Sequence, residues 1–215
     1  MADDLSATTT VTMDSDKTVT AVFDTPPGLN SQWVYTVTYG TTPEVTTWTV
    51  TVTDDSDAVG SVDCYKTGAA FSAPPQRATP QASFTLNSSD TWRSKENLAQ
   101  YKTVVVVTGS FGTVTTTSTD TYTGTPDMFT VGATWSFVEH AAPSMGPASD
   151  TTYTVVVVGP ETVLGHDCYK VTYSVAGSVK KTEWWSPEVM GFVKQINTGS
   201  WSQTETFELV SYNLV

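Results

Sequence analysis

Four glutamates stand close together near the end of the chain, Glu183, Glu188, Glu205 and Glu208. Two carboxylates at a suitable separation, one protonated and one ionised, are what cleavage of a glycosidic bond requires. Nothing in the spacing sets any two of these four at such a separation. Glu188 also has a counterpart, Glu96, in an earlier and similar segment, which points to a structural role. His140 and His166 lie far apart, and no spacing of histidine with Cys64 or Cys168 fits zinc. They read as turn histidines. In "DDSDAVG", Asp54, Asp55 and Asp57 fall short of a calcium loop, because the spacing fails and the bidentate glutamate is missing. That segment reads as a solvated turn joining two strands. No phosphate-binding, dinucleotide or nucleophile motif appears. No catalytic residue, metal ligand or cofactor is therefore expected, and the chain does not read as an enzyme. The candidate binding residues are Trp185, Arg93 and Glu183. An indole open to a partner stacks on a sugar ring or anchors a protein interface.

The elements that must hold these residues follow from an internal repeat. "DCYK" occurs at 63–66 and again at 167–170, and it contains both cysteines of the chain. "TTWTVTVTDDSDAVGSVDCYK" (46–66) lies over "DTTYTVVVVGPETVLGHDCYK" (150–170) with one gap. "TWRSKENLAQYK" (91–102) lies over "EWWSPEVMGFVK" (183–194) without one. "TGSF" at 108–111 matches "TGSW" at 198–201, and Trp33 falls on Trp135. Repeat one spans 23–122 and repeat two 123–215. The first copy carries a proline-marked insertion between Phe71 and Phe84, expected to lie outside the sheet.

Positions that match between copies are those a fold holds; positions that differ are free for function. Trp92 matches Trp184, so both are expected in the core. Their neighbours differ, Arg93 in one copy and Trp185 in the other. Successive strand residues point to opposite faces, which leaves two readings of Trp185: open to solvent or a partner, or covered, on the inner face of a closed barrel or under a loop.

Thr and Val dominate, and β-branched residues favour pleated strands. "WVYTVTY" puts Trp33, Tyr35, Val37 and Tyr39 on one face. "WTVTV" does the same for Trp48, Val50 and Val52, and "YKVTYSVAG" for Tyr169, Val171 and Tyr173. Turns are expected at Gly40, Gly60, Gly109, Gly159-Pro160, Gly177 and Gly199. The fold class is all-β, with antiparallel meander sheets forming a curled sandwich or barrel from two tandem repeats. One body made of both repeats would cover the long edges that a single unit leaves bare; two barrels in tandem are the alternative. The cysteines are expected to be separate, reduced and mostly buried. A bridge between them is the alternative.

Ahead of the repeats, "VTMDSDKTVTAVF" (11–23) alternates, turns at Asp-Ser-Asp-Lys and alternates again. It resembles the last hairpin of the divergent internalin B-type repeats of bacterial surface proteins. Residues 1–22 are accordingly read as the remnant hairpin of an upstream surface repeat. "GHDCYKVTYSV", followed by "EWWSPEVMGFVKQI" and "FELVSY", resembles the TapB-like group of bacterial lipoprotein and surface domains. The likeness spans most of repeat two and is weaker over repeat one, where "SKENLAQYK" replaces "SPEVMGFVK". It implies an extracytoplasmic β fold, secreted or at the cell surface, with the export signal upstream.

The chain has 22 acidic against 10 basic residues, a net charge of −12. Such a surface repels phosphate, so neither nucleic acid nor an anionic membrane is an expected partner. No apolar run reaches the ~20 residues of a membrane helix, and no membrane insertion is expected. The leading expectation is a non-catalytic module of an exported bacterial surface protein, for adhesion, ligand binding or spacing, its partner a protein, glycan or apolar ligand. One alternative is a carrier enclosing a lipid or small apolar ligand in an internal cavity. Another is a polysaccharide-directed hydrolase.

Overall fold

Strict alternation over Gln32–Tyr39 buries Trp33, Tyr35 and Val37 and leaves Val34, Thr36 and Thr38 partly exposed. A strand covered on one face requires this period of two. The computed structural model describes residues 26–39, 44–72, 76–78, 83–110, 112–200 and 203–215. The hairpin read at 11–23 and the turn expected at Gly40 lie outside them. The first half of the chain forms β1 (Gln32–Tyr39), β2 (Glu44–Val59), β3 (Val62–Phe71), β4 (Gln76–Ala78), β5 (Ser83–Ser94), β6 (Gln100–Gly109) and β7 (Gly112–Thr123). The second half forms β8 (Thr134–Pro143), β9 (Ser149–Val163), β10 (His166–Val175), β11 (Ser178–Ser186), β12 (Gly191–Ser200) and β13 (Gln203–Asn213).

Every pairing is antiparallel, and each strand lies beside the next in sequence apart from the step over β4. β3 pairs with β5, and β1 pairs with β13 across the whole length of the chain. Among the described residues these two pairings close twelve strands into an up-and-down antiparallel barrel, and the chain is all-β. Closure removes the bare edges that an open sheet would expose. At ordinary strand spacing and tilt, a twelve-stranded barrel is roughly 24 Å across.

One end of the barrel is plugged. The connections 95–99, 124–133 and 187–190 all lie there and bury Leu98, Ala99, Met128, Phe129 and Val189. Two pairs of turns at this end share their geometry. Before β1, Asn30 adopts a left-handed φ of 70° and donates its N–H to Val52 O, and Val52 N donates to Ser31 O. Before β8, Gly132 has φ 81° and donates to Val157 O, and Val157 N donates to Ala133 O. Leu98 and Met190, at φ 61° and 51°, stand in the connections leading to β6 and β12.

Three local expectations change. The insertion does not stay outside the sheet, because β4 pairs with Ser83, Phe84 and Thr85 of β5. β3 accompanies β5 only from Ser94 back to Ser89, so β4 covers a stretch of edge that would otherwise be bare. Gly159-Pro160 makes no turn, since β9 runs through it. β8 begins at Thr134, opposite Val156. Val157 still bonds Gly132 and Ala133, and beyond it β9 has no β8 residue in register beside it, a position where a proline without N–H is tolerated. "DDSDAVG" likewise lies largely within β2, as two register shifts rather than a turn, and the turn itself falls at Gly60, φ 63°.

Candidate ligand site in the barrel interior

Parity along β11 puts Lys181, Glu183 and Trp185 on one face, and closure makes that the inner one. Trp185 is 1% exposed and lines a cavity of about 430 Å³ inside the barrel. Of the two readings of Trp185, the inner-face one holds. Trp184 points outward and is nevertheless buried: Lys170 lies over its ring at 5.4 Å, and its Nε1 donates to Glu161 Oε2 at 2.8 Å. Trp92 sits alike on the outer wall, under Lys66 and Lys102 at 5.0 and 4.4 Å, donating to Asp57 Oδ2 at 2.6 Å. Lysine stems cover apolar surface in this way while the ammonium stays wet.

The structure brings the three sequence candidates together. β5 and β11 are six strands apart in either direction round the ring. Arg93 and Trp185 therefore reach towards each other across the lumen, and the guanidinium carbon lies 5.1 Å from the indole centroid. A cation over an indole is among the stronger such contacts, worth about 2 kcal/mol or more when desolvated. Arg93 Nη1 also donates to Leu98 O of the plug at 3.1 Å. Glu183 Oε2 accepts from Trp185 Nε1 at 2.8 Å and from Tyr173 Oη at 2.7 Å, and Lys181 Nζ lies 3.0 Å from Oε1. Burial works to raise this carboxyl, but Lys181, Arg93 and the two hydrogen bonds outweigh it and hold Glu183 below its ordinary value. Glu183 is thus an ionised anchor that fixes the Trp185 indole.

A second inner carboxyl behaves differently. Asp120 on β7 is 7% exposed; Oδ2 accepts from Gln100 Nε2 at 3.2 Å, and Oδ1 has no hydrogen-bond partner. Burial, reinforced by the charge of Glu139, pushes it up to about 7 against the pull of Gln100, Lys181 and Arg93. It borders a small void of about 20 Å³ next to Arg93 and Lys181, which is room for one water molecule. Sequence reasoning missed Asp120, Gln100, Lys181 and Tyr173. Parity counted from Trp185 and Tyr122 would have put the acidic and basic ones on the inner faces, where a charge is conspicuous.

The main cavity has two kinds of wall. Trp33, Tyr35 and Trp48 from β1 and β2, with Phe192 and Phe207 from β12 and β13, form an aromatic arc. Phe192 stacks on Tyr35 at 4.6 Å, and Trp48 meets Phe207 edge to face at 4.9 Å. Ser89 and Thr91 on β5 and Thr103 on β6, reached from β2 across β3, add hydroxyls to the lining. Beside the aromatic arc runs an amide–carboxylate chain: Gln195 Nε2 donates to Asn197 Oδ1 at 3.0 Å, and Asn197 Nδ2 donates to Glu205 Oε2 at 3.2 Å.

The remaining sequence candidates for chemistry lie apart from the cavity. Glu188 accepts from Tyr212 Oη at 2.8 Å and lies 3.2 Å from His166 Nδ1, contacts that hold its carboxyl below the usual value. His140 pairs with Asp150 at 2.6 Å on the exposed surface. Glu208 pairs with Lys194 at 2.8 Å. Asp54 and Asp57 accept backbone N–H groups of their own segment at 2.9 and 2.7 Å. Cys64 and Cys168 are both free and buried.

Comparison with protein-family models, with curated proteins and with solved structures found no match to this chain.

Proposed function

We propose that the chain is a non-catalytic binding module whose site is the barrel interior, where it holds one small molecule. The observation that carries this reading is the cavity of about 430 Å³, within the ~300–1,000 Å³ range of ligand pockets. It is about twenty times the void beside Asp120, which has room for one water molecule, far more than a packing defect leaves. Adhesion or spacing would be met by an outer surface and would need no such void. The outer wall, with Thr36, Thr38, Lys66, Lys102, Lys170 and Thr172 on it, suits water, in keeping with a module of an exported bacterial surface protein.

The test is saturable binding of the apolar fluorophore N-phenyl-1-naphthylamine, followed by its own emission. Ala69 lines the cavity, and Ala69→Trp should fill it and abolish binding while the far-ultraviolet spectrum of a β protein is kept. Fluorophore binding undiminished in the filled variant overturns the reading, as does a parent chain that binds neither the fluorophore nor any small charged or hydroxylated probe.

We also infer that the barrel is two copies of one six-stranded unit, β1–β3 with β5–β7 and then β8–β13. The two turn pairs described above occupy aligned positions and share left-handed residues and hydrogen bonds. Lys66 pairs with Trp92 as Lys170 pairs with Trp184. Arg93 and Trp185, the aligned residues that differ, contact each other, and there two identical side chains would compete for one space on the axis.

One observation favours a second reading, an interior hydrolase. Asp120 is raised to about 7 near Glu139, which lines the cavity, and a carboxyl so perturbed is a candidate general acid. Chromogenic glycosides decide it: turnover lost in both Asp120→Asn and Glu139→Gln would establish it, and no turnover in the parent chain would remove it.

A further inference from the structure

Resting on the reading of the cavity as a ligand site, we propose that the ligand is a neutral polyhydroxylated ring compound, a mono- or disaccharide. The wall chemistry narrows the class in three steps. A lipid or other wholly apolar ligand would strip water from Arg93, Gln100, Glu139 and Asn197, all of which line the cavity, and would leave unmet the donors and acceptors that contacts with Leu98, Asp120, Gln195 and Glu205 do not use. Each buried polar group left so costs about 1–3 kcal/mol, so such a ligand is penalised several times over. A ligand of single charge meets both signs, because Arg93 stands against Glu139 and Glu205 in the same wall; either charge is repelled by part of the site.

A neutral polyol fits both constraints. Each hydroxyl donates once and accepts twice. It can therefore accept from the Arg93 guanidinium and the Gln100 amide and donate to the Glu139 carboxylate. Ser89 and Thr91 add hydroxyls on the same side of the lumen. Phe192 on β12 stands five strands round the ring from β5, and Trp48 on β2 flanks Ser89 and Thr91 across β3; both are only partly buried and both line the cavity. The C–H face of a sugar ring packs against such aromatic faces, while its edge remains free for hydrogen bonds. Aromatic faces and hydrogen-bonding groups side by side round one void are the arrangement that a flat, hydroxyl-rimmed ring needs. A site built on hydrogen bonds to hydroxyls also rejects analogues that lack them, because its own polar groups are then unpaired.

Calorimetric titration of the whole chain with hexoses and disaccharides tests this, with decanoate, choline and N-phenyl-1-naphthylamine as contrasting probes. At least one sugar should bind saturably, in competition with the fluorophore. Asn197→Leu and Gln100→Leu should each weaken the sugar about tenfold or more and bind the fluorophore no more weakly than the parent chain. The isosteric Thr91→Val serves where the larger changes do not fold, with a smaller loss of the same selectivity. Decanoate or the fluorophore binding while every sugar fails overturns the ligand class and leaves the cavity reading standing. Choline alone binding overturns it in favour of an organic cation. No probe binding at all overturns the cavity reading itself. Sugar binding untouched by these substitutions places the sugar elsewhere and overturns the proposal.

Discussion

A carboxyl buried beside Glu139 favours the folded chain while it carries its proton and opposes it once ionised. Asp120 is raised from 3.8 to about 7. Its contribution is therefore fully present below pH ~4 and is lost as the pH rises through about 7. Glu183 runs the other way: its carboxyl is lowered, so its contribution is present above the ordinary glutamate range and lost as the pH falls through its folded value. Asp120→Asn removes the first effect alone. Urea midpoints should show the parent losing stability relative to Asp120→Asn between pH 4 and pH 8, by an upper bound on the order of 4 kcal/mol. Parallel curves for the two proteins over that interval would show that Asp120 titrates normally. The same residue scale explains why Arg93 and Trp185 stay in place: Leu98 O holds one and Glu183 the other, so the pair is anchored at both ends before any ligand enters.

The plug is where an element depends on one missing side chain. Trp33 Nε1 donates to Val189 O at 2.9 Å, and a Cβ added at Gly191 would lie 3.1 Å from that nitrogen. The indole cannot retreat, because it is itself 4% exposed and packed in the core. Gly191→Ala should therefore displace the Trp33 ring and loosen the connection 187–190, at about 1–3 kcal/mol. Its signature is a lower melting temperature together with a changed near-ultraviolet tryptophan band. An unchanged band with full stability would mean the plug tolerates the extra methyl. Ala99, the aligned residue of the first copy, is buried and already carries its Cβ, so the constraint belongs to the second connection alone.

For the molecule as a whole, closure settles the fate of the thiols. Cys64 on β3 and Cys168 on β10 are six strands apart either way round the ring. That puts them on opposite walls of a barrel roughly 24 Å across, and a disulfide needs Cα atoms within about 7 Å. Thiol titration in denaturant without reductant should find two free groups per chain, and the melting temperature should not respond to reductant. A count of zero would mean a different ring. Burial pushes the Cys168 thiol up to about 11 and raises Cys64 as well, so both should react slowly with iodoacetamide until the chain unfolds.

By itself the sequence determined what is local. Thr and Val at period two made strands. Glycines at 60 and 177 marked turns at φ 63° and 78°. The alternation showed that Trp33, Tyr35 and Val37 share a face and that Trp184 and Trp185 do not. It also singled out Trp185, Arg93 and Glu183. Alternation has no sign, however: it says which residues lie together, not which side of the sheet becomes the inside. That choice came with the pairing of β1 to β13, residues more than 160 positions apart, which no local pattern encodes. Closure turned Trp185 inward and Trp184 outward, brought Arg93 across the lumen, and left Asp120 facing Lys181 and Arg93. The cavity itself is a property of the closed ring, because its volume follows from strand number and tilt and from how far the inward side chains reach, and neither is written in any one strand.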